Sequence, residues 1–216
     1  MINKLLVFGI VLIISFVSCD NLKEIPAPEV KKESKYCITH LRSNPDSILV
    51  SENELSIAKS LFDFNQLDYH TLQFFRVQTD DPLGYFHVRC NQFVNGLKVF
   101  NQDVIFHFKP TKKYYLLSGK LVGSIDLDTV PLMAHDTLID LFIEQLNKDD
   151  FYKRNSYADS CFDIEFGYFN YNAFIGITEP KYIKAWKVSP KGGEYPYAFI
   201  NDMTSTAFYY DNGIRF

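Results

Sequence analysis

Residues 87–108 read HVRCNQFVNGLKVFNQDVIFHF, two β-rich runs joined at Asn95-Gly96. Asn-Gly supplies the two positive φ angles that a tight hairpin turn needs, so the stretch predicts an antiparallel pair. Alternation assigns the faces of the second arm. Val104, Phe106 and Phe108 point one way, while Ile105, His107 and Lys109 point the other. His87 and His107 lie near the outer ends of the two arms and become candidate cross-strand neighbours. A His pair without a carboxylate is a poor metal site, and no metal or other cofactor is expected.

Working outward, LQFFRV (72–77) reads as a preceding strand, and Asp80-Asp81-Pro82-Leu83-Gly84 as the turn between them. Lys112-Lys113 makes a polar turn before a further strand over 114–122, through Ser118-Gly119. Upstream, Ser51-Glu52-Asn53-Glu54 has the form of a capping box, with Leu55, Ala58, Leu61 and Phe62 on one helical face behind it. Downstream, a second helix is capped by His135 or Asp136. Ala134, Leu138, Leu141, Phe142 and Leu146 form its apolar face, and Asp149-Asp150 ends it. Aromatic-rich strands then follow over 162–168, 170–177, 182–188 and 195–200, with a short last strand over 206–210. Asp202 reads as a turn former rather than a calcium ligand. The aromatic content of 16% is what a β-rich core requires, although some Tyr in 168–171 and 195–210 suit a protein-binding face.

The first 19 residues address location. Met1-Ile2-Asn3-Lys4 is a short basic start, and the 13-residue run from Leu5 to Val17 is almost wholly apolar. That is short of the roughly 20 residues that span a bilayer, but it suits a signal-peptide core. Phe16-Val17-Ser18-Cys19 resembles a bacterial lipobox, with Phe16 in place of the usual Leu. The resemblance implies a signal peptide at 1–18, lipidation of Cys19, and a lipid-anchored protein of the bacterial cell envelope. Residues 19–35, polar and carrying Pro26 and Pro28, read as a disordered tether.

The net charge is −4, and loss of residues 1–18 removes only Lys4, giving −5. With no basic patch, nucleic acid is not an expected partner. Beyond Cys19 the cysteines are Cys37, Cys90 and Cys161, which allow three pairings in an exported chain. Cys90 shares a strand face with Val88 and reads as a buried thiol. A Cys37–Cys161 bridge would pin the start of the folded region to its second half.

The run Gly84-Tyr85-Phe86-His87-Val88-Arg89, with Gln92, Gly96, Val99 and Phe100, resembles the FTP propeptide module that precedes thermolysin- and fungalysin-type metalloproteases. Ala185-Trp186-Lys187-Val188, Phe199-Ile200-Asn201-Asp202 and Tyr210-Asp211-Asn212 resemble the PepSY module that follows it, with Ser205 where that family has Gly. The resemblance implies an α+β fold of two small modules, FTP-like over 36–122 and PepSY-like over 123–216. Each is a helix packed on its own antiparallel sheet.

The His-Glu-x-x-His zinc motif is missing: none of the five His is followed by Glu. With no Gly-x-Ser-x-Gly elbow either, the reading is not an enzyme. The resemblance implies a propeptide-like protein that binds an exported thermolysin-like metalloprotease in trans, as inhibitor or folding chaperone. Arg89, Gln92, Asp211, Asn212 and Ile214 are its candidate partner-binding residues. The alternative is a cell-envelope structural or interaction module with no protease partner.

Overall fold

The computed structural model describes residues 34–80, 82–149 and 160–215. The signal segment, Cys19 and most of the expected tether lie outside them. The elements in chain order are β1 (Cys37–Leu41), α1 (Glu52–Phe64), β2 (Leu72–Asp80), β3 (Tyr85–Val94), β4 (Leu97–Phe108), β5 (Tyr114–Ser118), α2 (His135–Lys148), β6 (Cys161–Asn170), α3 (Tyr171–Phe174), β7 (Tyr182–Pro190), β8 (Tyr197–Asn201) and β9 (Thr206–Asp211). The hairpin forms as read: Asn95 and Gly96 have φ of 51° and 77°, and β3 pairs antiparallel with β4.

The strands do not make two sheets. They make one mixed sheet, mostly antiparallel, in the order β2-β3-β4-β6-β7-β8-β9. The seam is a short parallel pairing of Lys98, Val99 and Phe100 with Gly167, Tyr168 and Phe169. Its cause is local. β4 is long, and β5 covers only its far half, leaving the first residues of that edge free. β6 can reach them because residue 167 is glycine: a Cβ there would lie 2.5 Å from the Lys98 carbonyl oxygen and 2.7 Å from the Phe100 ring.

Both helices cover the same face of this sheet. On the first half, Ala58, Leu61 and Phe62 of α1 pack with Phe74, Val88, Val104, Phe106 and Phe108. On the second, Leu138, Ile139, Phe142 and Leu146 of α2 pack with Phe162, Ile164, Trp186, Val188 and Ile200. Val99 and Tyr168, partners across the seam, join Ile125 on that side, while Phe100, Phe169 and Phe199 gather on the other.

Four local expectations are corrected. The segment 37–41, not read as a strand, is β1, and it pairs parallel with β6 of the second half rather than with the first hairpins. Cys37 and Cys161 face each other in that register and form a disulfide, while Cys90 is a buried free thiol. The expected strand over 170–177 does not form: β6 ends at Asn170, whose side chain accepts from the Ala173 amide and caps α3 instead. The N-cap of α2 is Ala134, which offers no side-chain acceptor; Asp136 sits in the first turn. β5 stops at Ser118, where Gly119 turns with φ of 91°. The Ser51 capping box on α1 is present as read, and Ser205 takes the left-handed φ of 51° that a Gly would.

Candidate partner-binding face

The face opposite the helices carries the side chains that point away from both cores. At its centre, across the seam, lies a groove of about 290 Å³ lined by Arg89, Asn91, Asp103, Lys187, Glu194 and Tyr195 among others. Arg89 reaches it from β3 by strand alternation, since its neighbours Val88 and Cys90 face α1. Arg89 Nε lies 3.6 Å from Asp103 Oδ2, and both side chains are more than a third exposed. This is a loose surface pair that a partner can replace at small cost.

Lys187 enters the groove from β7. Burial, then the nearby charge of Lys98, pushes its pKa down, against the pull of Glu165 and Glu194. Its ammonium sits 4.7 Å from the centre of the Tyr197 ring. The groove is therefore mixed in charge, with aromatic walls.

Gln92 does not belong to this face. It is 3% exposed, donates to the Gln102 and Lys120 carbonyls, and accepts from the Val122 amide at 2.8 Å. The bonds to Lys120 and Val122 hold the chain leaving β5 against the hairpin, and the bond to Gln102 ties β3 to β4. A side chain so enclosed cannot touch a partner, and its role is structural.

The C-terminal residues are held rather than extended. Asp211, largely buried, accepts two hydrogen bonds from the Arg215 guanidinium at 2.9 Å, one from the Gly213 amide and one from the Tyr209 hydroxyl. Arg215 above all holds the Asp211 carboxyl well below the usual carboxylate range, with the Gly213 amide and Tyr209 adding to it. Asn212 accepts from the Ile214 amide and donates to Asp149, the C-cap of α2. Ile214 is half-buried. The turn lays Arg215 over the ring of Tyr195, a groove residue, with 5.6 Å between the guanidinium carbon and the ring centre. Of the five residues expected to bind a partner, Arg89 thus lines the groove. Asp211 and Asn212 fold the tail beside it, and Arg215 presents the tail's charge there.

Further along the same face, His87 and His107 are register partners, and their Nδ1 atoms lie 2.6 Å apart. Asp80 meets His87 Nε2 at 3.0 Å and Ser118 meets His107 Nε2 at 2.8 Å. In the neutral state every nitrogen is satisfied: Ser118 donates to His107, His107 donates to His87, and His87 donates to Asp80. Burial, then the charge of His87, lowers the pKa of His107, and Asp80 opposes this. Protonating both rings would set their two Nδ1–H donors against each other. Among the described residues no group of three or more His, Cys, Asp or Glu is placed to hold a metal ion.

A buried network on the helix face escaped the sequence reading. Asp202 is not a simple turn former: its carboxylate accepts from the Leu132 and Met133 amides and from Trp186 Nε1. Lys184, whose side chain is 4% exposed, lies 3.7 Å from it and 3.0 Å from Asp128. The available signal was a lysine within the apolar run YIKAWKV. Strand alternation puts Lys184 on the opposite face from Lys187.

Residues 71–121, about a quarter of the chain, match the model of the Fungalysin/Thermolysin Propeptide Motif. The matched span takes in β2 to β5, both His of the pair, Arg89, Gln92 and the first of the residues that Gln92 secures. No curated protein matches the chain at a significant level. The match supports a relationship to protease propeptides, whose domains are typically non-catalytic.

Proposed function

We propose that the chain is a non-catalytic, propeptide-like protein that binds an exported thermolysin-like metalloprotease in trans, as inhibitor or folding chaperone. The match of residues 71–121 to the propeptide motif carries this reading. The groove around Arg89 and Lys187, beside the folded tail, is the face it assigns to the enzyme. Mixed charges give register and encounter rate, and tyrosines such as Tyr195 give rigid contact area. The second half, 123–216, acts as a PepSY-like unit that completes this face across the seam. Lipidation of Cys19 would tether the protein to a membrane of the bacterial cell envelope, where exported proteases pass.

The test is to mix the purified chain with several thermolysin-like enzymes exported by the same cell. Binding at micromolar concentrations, with loss of peptidase activity or improved refolding of the enzyme, is the expected result. Unchanged activity with no binding removes the proposal. Mass measurement of the envelope-extracted protein checks the anchor: an acylated N-terminal Cys19 is expected, and an unmodified Met1 contradicts it.

A further inference from the structure

On the helix face, a second and larger cavity of about 570 Å³ opens where β1 ends and β4 begins along β6. Its size lies within the roughly 300–1,000 Å³ of small-molecule sites. One wall is a chain of ring contacts. Phe166 lies 4.9 Å from Trp186, Trp186 5.6 Å from His135, and His135 4.4 Å from His40, between ring centres. Ile164 adds an apolar floor, and Arg42 stands among the lining residues.

The polarity of this lining is one-sided. In a chain of net charge −4, no Asp or Glu among the described residues lines the cavity. Arg42 is exposed and makes no ion pair among the described residues. A guanidinium presents a planar fork of donors that matches a carboxylate, and the imidazoles beside it offer further N–H groups. An aromatic-walled cavity whose guanidinium has no ion-pair partner, and whose lining has no carboxylate, among the described residues complements a molecule with an apolar body and one anionic end. We infer that this cavity binds a small amphiphilic carboxylate, its body against Phe166 and Trp186 and its carboxylate on Arg42. Lys98 lines both this cavity and the groove on the opposite face, but Arg42, Phe166 and Trp186 line only this one, so the inference is tested apart from the protease partner.

Trp186 is the sole tryptophan of the chain, so its fluorescence reports directly on this cavity. The experiment titrates the purified full-length chain with decanoate, 4-butylbenzoate and the uncharged decanol, below their aggregation limits. At least one carboxylate is expected to give a saturable change in Trp186 emission, and the stronger of the two identifies the body as aliphatic or aromatic. Decanol is expected to bind at least about tenfold more weakly, the value of one lost charge-assisted hydrogen bond. Arg42→Ala should weaken the carboxylate by a similar factor. Because Arg42 is exposed, this variant keeps the fold, checked by an unchanged circular dichroism spectrum. No saturable response to either carboxylate, an equal response to decanol, or unaltered binding by Arg42→Ala overturns the inference.

Discussion

The two halves of the sheet solve one problem by different means. Each must hold a single amphipathic helix on a layer of strands. The first half does it with local chemistry. Ser51 and Glu54 cap α1 reciprocally, and Asn65 at its other end bonds the Lys112 carbonyl and the Tyr114 amide of the β4–β5 turn. The second half has an uncapped helix and relies on long-range ties. These are the Cys37–Cys161 disulfide, the buried Asp202–Lys184 network, and Lys35 and Tyr36 bonded to Asp140 on α2. Propensity and capping stabilise a helix wherever it lies. Distant ties act only once β1 has docked on β6 and the chain around Asp202 has closed over β7, so the second half depends on long-range assembly more than the first does.

The largest expected break in this comparison is at the seam. Gly167→Val forces a side chain into the Lys98 backbone and the Phe100 ring, and should cost more than about 4 kcal/mol or separate the halves. Urea unfolding of this variant should turn biphasic, with residues 71–121 keeping slower amide exchange than the rest. A single transition with wild-type midpoint contradicts the described seam.

Asp202→Ala comes next. It leaves the buried Lys184 with the exposed Asp128 and the Val130 carbonyl, and orphans the Leu132 and Met133 amides and the Trp186 indole. The expected loss is about 3–5 kcal/mol in urea unfolding. Removing the disulfide in a Cys37→Ser, Cys161→Ser double variant should cost about 2–4 kcal/mol, because the bridge closes a separation of 124 residues.

Acid sharpens the comparison less strongly. The folded-state pKa values of His107 and His135 are both depressed, His107 by burial and then His87, His135 by burial and then His40. A histidine depressed on folding binds its proton more readily when unfolded. Its contribution is therefore present above the ordinary value of 6.5 and is lost as pH falls from there toward the folded value. The melting temperature should drop between pH 7 and pH 5, and His107→Gln should flatten part of that slope.

The smallest effects are at the caps. Ser51→Ala should destabilise by about 1 kcal/mol, whereas Ala134→Ser should stabilise by up to about 1 kcal/mol, since Ala134 already has the extended backbone of an N-cap.

Legibility in the sequence followed the same divide. Wherever a signal acts over a few residues it could be read: the Asn95-Gly96 turn, the Ser51 box, the alternation that turns Val88 and Phe106 inward and leaves Arg89 outward. The FTP-like hairpin carried the match because its pattern is contiguous. What escaped reading depends on distant partners. The pairing of β1 with β6 is set by residues more than a hundred positions apart. Gly167 is an unremarkable strand glycine until Lys98 approaches it. Gln92 reads as a partner-binding candidate beside Arg89, because the Lys120 and Val122 backbone that consumes its amide arrives only in three dimensions. The candidate groove was legible only as Arg89 and the tail. Lys187 and Tyr195 join it through sheet order, which short patterns do not encode.

Calorimetric titration of the chain into a thermolysin-like enzyme from the same cell, with and without the Arg89→Glu and Lys187→Glu pair of substitutions, tests the central claim most directly. The account predicts a stoichiometric complex at micromolar or lower concentration, weakened at least about tenfold by the paired substitutions in the groove and unaffected by Arg42→Ala on the other face. Absence of a complex, or one indifferent to Arg89 and Lys187, would contradict it.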